Sequence, residues 1–452
     1  MAVAIVLVLL VLGSLLFHFL SPWYFTPIAS NWGVIDNIIT ITLVVTAVVF
    51  VAVSLFMVYC LVRFRHRKGS QAAYEPESKK LETWLIIVTA IGIAALLAPG
   101  LFVYAKFVDA PKDAAVFEAL GRQWHWMFRF PGKDGVLGTV DARYVSDANP
   151  FGIDPNDPNG QDDVLVASPE LHLPVGVPQK ALLRSIDVLH DFTVPQFRFK
   201  MGLIPGLVTH TWFTPTRTGT FDLLCQELCG IGHFTMRGKV VVEDGAAFQS
   251  WLNGYPTFAQ ASAQVAGDAS AGAASFAVCE ACHGAQAQGN PALHAPKLSG
   301  QSDWYLSRQL RNFRSGARGA HEKDTFGQMM APMAATLPDD AAINNVVAYI
   351  RTLPDNPAPP TLAATHTDNG RSLYDTCAAC HGVDGHGIQA TNAPRLAGMS
   401  DWYLVTQLQN FEHGVRGLNP KDPYGPQMAS MSAMLKDDQE RADLAGFVNS
   451  LR

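Results

Sequence analysis

The residues with the clearest chemistry lie in one short segment, 225–236, which contains two thiols, an imidazole and a thioether. Soft sulfur ligands together with imidazole suit copper, and a weak thioether ligand at the edge of such a site tunes its potential. A single-copper site needs only one Cys, whereas Cys225 and Cys229 can place two thiolates between two metals. An upstream imidazole, that of His190, completes this set of candidate ligands.

A disulfide or a zinc site accounts less well for the Cys pair. A disulfide in an oxidising compartment or half of a zinc site would leave the following His and Met without a role, and structural zinc sites do not recruit Met. The arrangement resembles the dinuclear CuA centre of subunit II of the haem-copper respiratory oxidases. This resemblance implies that Cys225 and Cys229 bridge two coppers, that His190 and His233 bind one copper each, and that Met236 is a weak ligand. It adds the backbone carbonyl of Glu227 as a further ligand.

A second motif occurs twice, because residues 276–353 align with 374–451 without a gap, which indicates an internal duplication. Each copy opens with Cys-x-x-Cys-His, in which two thiols can bond both vinyl groups of one haem and the adjacent His can bind the iron. A thioredoxin-type Cys-x-x-Cys would follow a buried strand, and the sequence predicts none there. The predicted haem-binding residues are Cys279, Cys282 and His283 in the first copy and Cys377, Cys380 and His381 in the second.

The second ligand of each haem iron is expected to be Met, which raises the potential toward that of an electron carrier. Met330 or Met333 could serve in the first copy, and Met428 or Met431 in the second. The tandem resembles a dihaem cytochrome of the c4 type. The ligand spacing of small cytochromes c favours Met330 and Met428, which leaves the other Met of each pair to pack in the core.

Three apolar segments, at about 1–20, 38–62 and 84–107, are each long enough to span a bilayer core. The basic loop between the second and third segments lies in the cytoplasm by the positive-inside rule, so everything after about residue 108 is periplasmic or extracellular. The first segment lacks the basic start and cleavage site of a signal peptide. We therefore expect contact with membrane lipid and a location in the bacterial inner membrane, with the cofactor domains outside.

The predicted fold class is multidomain: N-terminal transmembrane helices, a cupredoxin-like β-barrel, then two all-α cytochrome c domains. Short β-rich runs separated by Pro and Gly turns indicate the barrel, and an Ala, Ser and Gly-rich stretch indicates a flexible linker. The net charge of −6 argues against nucleic-acid binding. The predicted boundaries are 1–110 for the helices, 111–255 for the CuA domain, 256–275 for a linker, 276–353 for the first cytochrome domain, 354–370 for a second linker and 371–452 for the second cytochrome domain.

Two further features resemble oxidase subunit II. The segment Gln123-Trp124-His125-Trp126 resembles an aromatic motif whose first Trp lies between the electron donor and CuA, which implies that role for Trp124. Glu82, at the start of the third apolar segment, resembles the family's Glu at the mouth of a proton path. In the family, the Glu between the two Cys also ligates a Mg ion at the interface with subunit I, which implies the same for the Glu227 side chain.

The resemblance implies the electron-entry subunit of a caa(3)-like cytochrome c oxidase, which passes electrons from covalent haems c through CuA to another subunit where O2 is reduced. The expected partners are oxidase subunit I and other oxidase subunits, with a cytochrome c or a bc1-type complex as electron donor. Two alternatives stay open: the electron-entry subunit of a CuA-type nitric-oxide reductase, and a membrane-anchored redox relay without a catalytic partner. Nitrous-oxide reductase would need a large propeller domain, which this sequence lacks.

Overall fold

The computed structural model describes residues 2–21, 26–69, 71, 74, 76–146, 149–263, 267–363 and 365–451. Residue 1 in the first predicted span, residues 147–148 in the predicted CuA domain, residues 264–266 and 364 in the two predicted linkers, and residue 452 lie outside the described residues. The N-terminal region is helical, a β domain follows it, and a second helical region completes the described chain. This order confirms the predicted fold class.

Three long apolar helices form the N-terminal region: α1 (Ala2–Leu20), α2 (Gly33–Arg63) and α3 (Lys79–Val108). Each is long and apolar enough to cross a membrane. At 1.5 Å per residue, α2 and α3 each extend about 45 Å, which exceeds the roughly 30 Å of a hydrocarbon core. The observed helices α2 and α3 start about five residues before the predicted spans because their polar first turns are also helical. The helices indicate a membrane-anchored protein.

Two five-stranded sheets form the β domain. The strands are β1 (Ala115–Arg122), β2 (His125–Phe130), β3 (Val164–Val166), β4 (Glu170–Pro174), β5 (Gln179–Ser185), β6 (His190–Val194), β7 (Phe199–Leu203), β8 (Thr209–Phe213), β9 (Gly219–Leu224) and β10 (Arg237–Glu243). One sheet has the order β3-β2-β1-β5-β8 and the other β4-β10-β9-β6-β7. Strand pairs β1–β5 and β4–β10 are parallel, and the other pairs are antiparallel.

The core of the β domain lies between the two sheets and is unusually aromatic. Phe117, Trp126 and Phe128 from one sheet and Phe192 from the other are fully buried. The rings of Trp126 and Phe192 meet edge to face at 5.7 Å, within the range in which aromatic pairs attract each other. Such a core gives a stiff scaffold for the loops at the ends of the strands.

The β domain is tied to the ends of the membrane helices by side chains of defined geometry. Arg198 binds the carboxylate of Asp36 in the first turn of α2, with N–O distances of 2.6 and 2.8 Å. The Trp32 indole donates to the carbonyl of Trp212, and the Trp212 indole donates to the carbonyl of Lys106 in α3, each at 2.9 Å. Both α2 and α3 therefore hold the same side of the β domain. We call these five residues the membrane bracket.

The C-terminal region consists mainly of two copies of a four-helix unit, preceded by α4 (Gly245–Leu252) and α5 (Phe258–Ser262). The first cytochrome unit contains α6 (Ala269–His283), α7 (Asp303–Ser315), α8 (Thr325–Ala335) and α9 (Asp340–Thr352). The second cytochrome unit contains α10 (Thr367–His381), α11 (Asp401–Glu412), α12 (Gly425–Ser432) and α13 (Asp438–Ser450). In each unit the first and last helices cross at a glycine: a Cβ on Gly272 would lie 1.9 Å from the carbonyl oxygen of Asn345, and one on Gly370 would lie 2.2 Å from that of Asp443.

The two units meet through a reciprocal pair of hydrogen bonds. Arg318 of the first unit donates to the Tyr403 hydroxyl of the second at 2.5 Å, and Arg416 of the second donates to the Tyr305 hydroxyl of the first at 3.0 Å. Arg318 and Arg416 occupy matching positions of the repeat, as do Tyr305 and Tyr403. The interface is therefore approximately two-fold symmetric within one chain, as in an isologous dimer.

The structure departs from the prediction that residues 256–275 form a flexible linker, because α5 and the first part of α6 lie within that range. Thr257 and Gln260 form a capping box at the start of α5. Asp268 caps α6 by accepting hydrogen bonds from the backbone of Ser270 and Ala271. Small residues that suit a linker by composition are here used for capping and close helix packing.

Candidate copper centre and haem-attachment sites

The sulfur atoms of the segment 225–236 gather at the end of one hairpin. Cys225 directly follows β9 and Met236 directly precedes β10, so antiparallel pairing of these strands brings the two ends of the loop together. The Sγ atom of Cys229 lies 3.8 Å from that of Cys225, 3.4 Å from Nδ1 of His233 and 3.9 Å from Sδ of Met236. Four donor side chains of the predicted copper site are therefore adjacent.

His190, the first residue of β6, joins this group from the neighbouring strand. Its ligand atom and those of Cys225 and Cys229 all lie within 4.8 Å of one another. The ring is buried, Nε2 lies 2.8 Å from Oδ1 of Asp187, and Nδ1 has no hydrogen-bond partner in the described part of the chain. A buried imidazole nitrogen without a partner beside two thiols fits a metal ligand.

Thiol acidity also fits this site. The adjacent Cys229 thiol, which stabilises the thiolate, and the neighbouring His190 imidazole together outweigh burial and lower the pKa of Cys225 to about 3. The Cys225 thiolate and burial in turn raise the pKa of Cys229. One thiolate therefore forms readily and the second requires a cation, because two adjacent negative charges repel each other and metal binding releases the proton.

Of the other predicted site residues, Glu227 lies in the copper loop, Trp124 contacts it and Glu82 lies far from it. The backbone carbonyl of Glu227 lies 3.2 Å from Sγ of Cys225, while its carboxylate lies 3.2 Å from Nζ of Lys200. The Trp124 indole donates to the carbonyl of Cys229 at 3.1 Å. Glu82 is not part of this cluster, since it is exposed in the first turn of α3, at the far end from the β domain.

In the first cytochrome unit, Cys279, Cys282 and His283 occupy the last two turns of α6. Nδ1 of His283 lies 2.8 Å from the carbonyl oxygen of Pro296, which fixes the ring and leaves Nε2 for a metal ion. Burial lowers the pKa of His283, so the ring is neutral, as a metal ligand must be. Met330 lies on α8 and is half-buried.

The second cytochrome unit repeats this geometry. Nδ1 of His381 lies 2.8 Å from the carbonyl oxygen of Pro394, and burial lowers the pKa of the ring. A partly open cavity is lined by both thiols, the imidazole and two Met of this unit. These residues are Cys377, Cys380, His381, Met428 and Met431. A large, mainly apolar cavity with two thiols, an oriented imidazole and facing thioethers fits a covalently attached haem.

The sequence interpretation missed two residues beside the copper loop. Asp187 accepts hydrogen bonds from the backbone of Gln123 and Val188 as well as contacting His190, so it links the aromatic segment to the candidate ligand. His125 is buried, neither of its ring nitrogens has a partner in the described residues, and burial lowers its pKa to about 4. The Asp three residues before His190 was the only available signal, since the burial of His125 depends on the packing of both sheets.

Comparison with known proteins agrees with this geometry. Residues 115–244 match the family described as cytochrome c oxidase subunit II, periplasmic domain, and residues 269–354 and 367–452 each match cytochrome c. The alternative cytochrome c oxidase subunit 2 of Bradyrhizobium diazoefficiens is 57% identical over 259 residues, which cover 57% of this chain and 94% of that protein. The chain belongs to the cytochrome c oxidase subunit II family. It is a fusion of a subunit II with two cytochrome c domains.

Other relatives match different parts of this subunit II. Cytochrome c oxidase subunit 2 of Cereibacter sphaeroides is 28% identical over 50% of this chain and 77% of its own length. A protein of Stutzerimonas stutzeri named thiosulfate dehydrogenase electron acceptor is 34% identical over 38% of this chain and 78% of its own length. The subunit II domain implies CuA, the cytochrome c domains imply haem c, and the subunit II relatives belong to an oxidoreductase complex.

Proposed function

We propose that this subunit II is the electron-entry subunit of a respiratory cytochrome c oxidase. It passes electrons from two covalent haems c through CuA to a catalytic subunit that reduces O2. The observation that carries this proposal is the convergence of His190, Cys225 and Cys229 within 4.8 Å in a β domain bonded to membrane helices and followed by two cytochrome units. Haem c and CuA, when bound, each accept and release one electron at a time.

The protein side chains hold these groups with little need for rearrangement. Cys225 and Cys229 would supply thiolates to CuA, His190 and His233 would supply one imidazole each, and Met236 and the Glu227 carbonyl would complete the set of copper ligands. Their support is the 3.4–3.9 Å spacing around Cys229 and the 3.2 Å approach of the Glu227 carbonyl. Anchoring both ends of the copper loop on paired β strands lowers the reorganisation that accompanies each change of charge.

The cytochrome units hold haem through Cys279, Cys282 and His283 and through Cys377, Cys380 and His381. Met330 and Met428 are the proposed second ligands. The carbonyls of Pro296 and Pro394 keep the two imidazoles in one tautomer, which supports binding through Nε2. In the second unit, the mainly apolar lining of the cavity would favour the less charged reduced state of a bound haem.

Three further residues are assigned roles within this proposal. Trp124 mediates electron entry, which its indole bond to the carbonyl of Cys229 supports. The Glu227 carboxylate contributes to a Mg site at the interface with subunit I, where its present partner is Lys200. Glu82 takes part in proton entry from the cytoplasmic side, in line with its exposed place at the start of α3.

The catalytic site lies in another polypeptide in this proposal. Its partners are subunit I and other oxidase subunits in a bacterial inner membrane, and a cytochrome c or a bc1-type complex supplies the electrons. The Stutzerimonas stutzeri relative is named as an electron acceptor of another redox enzyme. By analogy, the cytochrome tandem receives electrons from a separate redox protein.

The test is the haem and copper content of the complex that copurifies with a tagged form of this chain from its own membranes, measured by pyridine haemochrome spectra and metal analysis. Haem a together with two covalent haems c and additional copper is the expected result. Cys225→Ser is the matched variant, which should lower the copper content and leave every haem in place.

Two other results would redirect the assignment. Haem b without haem a would leave a nitric-oxide reductase or a b-type oxidase, which turnover with nitric oxide or with O2 would separate. Covalent haem and copper without any other haem would contradict the oxidase proposal and favour a redox relay.

A further inference from the structure

The two cytochrome units have the same fold but different surroundings. The second unit touches the β domain directly: Gln427 of α12 donates to the backbone carbonyl of Trp124 at 2.5 Å, and the Tyr424 hydroxyl donates to the backbone carbonyl of Ala167. Helix α12 also packs beside the short 3-10 helix His233–Thr235 of the copper loop. The surface formed by Gln427 of α12 and by Tyr424, the N-cap residue of this helix, is called the docking face below.

The attachment site of the second unit belongs to the same contact. Cys380 packs against the core cluster of the β domain, and Trp124 and Cys229 are members of that cluster. In the first unit the matching thiol, that of Cys282, is exposed. One haem-attachment Cys therefore lies against the copper domain, and the matching Cys of the other unit is exposed.

The matching face of the first unit is open. Phe326 and Met329 of α8 occupy the repeat positions of Tyr424 and Gln427, and they are 43% and 61% exposed. The ring of Phe326 stacks on His294 at 3.9 Å, so the face is ordered although it is exposed. A patch with large exposed apolar side chains is a common mark of an interaction site.

We propose that the units act in a fixed order: the first receives electrons from an external redox protein through the face around Phe326 and Met329, and the second delivers them to the copper centre through the docking face. This inference rests on the proposed function. The occupant of the open face is a separate reduced cytochrome, because the same face of the same repeat already binds a redox domain within this chain. Each transfer moves one electron and no atoms: the donor is oxidised by one electron and the acceptor is reduced by one electron.

The test places the same charge at the two equivalent positions. Gln427→Glu sets a carboxylate against the Trp124 carbonyl, and Met329→Glu sets one in the open apolar face. Gln427→Glu should raise the rate of amide hydrogen exchange at His233, Thr235 and Met236 by about tenfold. The substitution removes the hydrogen bond to the Trp124 carbonyl and places a repelling carboxylate there, which should lower the equilibrium constant for docking by about tenfold. These amides donate to loop carbonyls, so their exchange reports opening of the loop. Met329→Glu should leave this exchange unchanged.

Transient absorption supplies the second measurement on the full complex. Gln427→Glu should slow electron equilibration between haem c and copper about tenfold and leave the initial reduction of haem by reduced soluble cytochrome c unchanged. Met329→Glu should slow that initial reduction about tenfold, since docking would bury an unpaired carboxylate. Reduction by hexaammineruthenium(II), a small reductant that needs no docking face, should proceed equally in both variants.

Tyr424→Phe provides a milder variant that keeps the ring and removes only the bond to Ala167, with an effect in the same direction as Gln427→Glu. The proposal is overturned if Met329→Glu, and not Gln427→Glu, opens the copper loop, or if both variants impair the cytochrome c reaction alike. A wild-type complex that contains no haem c or no copper would instead refute the proposed function. The amide-exchange result reports docking in either case.

Discussion

The copper loop and the haem sites differ in how far apart their candidate ligands lie. Around Cys229, the donor atoms of Cys225, His233 and Met236 lie within 3.9 Å, all on one hairpin. In the second cytochrome unit, the candidate ligands come from two helices, α10 and α12, and line opposite parts of one cavity. Apart from His190 on β6, the candidate copper ligands thus come from one loop, whereas each haem site depends on the packing of a whole unit.

The largest effect should follow from removing one ligand of the copper loop. Cys225→Ser is expected to abolish the mixed-valence copper signal in electron paramagnetic resonance, because a hydroxyl cannot replace a bridging thiolate. Both haem c spectra should be retained, since the cytochrome units fold around their own ligands. Cys60→Ser, in membrane helix α2, is the matched control and should keep the signal. Persistence of the signal in Cys225→Ser would refute the ligand assignment.

An intermediate effect is expected when one haem ligand is replaced. Met330→Ala should lower the potential of one haem by on the order of 0.1 V, because axial ligands spread haem potentials over about 0.8 V. Met428→Ala should shift only the other haem, as measured by spectroelectrochemical titration.

The neighbouring Met of each pair provides the control for this titration. Met333→Ala and Met431→Ala should leave both potentials close to those of the wild type. A shift in Met333→Ala with none in Met330→Ala would show that the ligand of the first unit is Met333, and would reverse that assignment.

The smallest effect is expected from a residue that only positions a copper ligand. Asp187→Asn should weaken copper retention about tenfold, since partners of ligating imidazoles contribute about 10- to 100-fold to metal affinity. Release to a chelator and the copper hyperfine pattern are the measurements, and Asp222→Asn, at an exposed position of β9, is the control. Unchanged release would mean that packing alone orients His190.

Local sequence patterns were sufficient for the fold class, the family and the three Cys-His motifs. Each motif works over fewer than fifteen residues, and the long continuous apolar segments of the membrane helices need no tertiary context. The helices within residues 256–275 were missed because composition reports flexibility, whereas the backbone of Asp268 and Gly272 both contact Asn345 of α9, which is distant in the sequence. The interface at Trp124 was beyond reach for the same reason, since Gln427 lies 303 positions away in the sequence.

The membrane bracket has a consequence for how the molecule could be re-engineered. Arg198 bonds to Asp36 of α2, and the Trp212 indole bonds to the carbonyl of Lys106 in α3. These contacts fix the distance of the β domain from the ends of the two helices and its orientation about their axes. A single residue inserted into α3 ahead of Lys106 would turn everything beyond it by about 100° around the helix axis and raise it by about 1.5 Å. The copper loop would then point in a different direction relative to α3. The length of α3 therefore sets the orientation of all the domains that follow it.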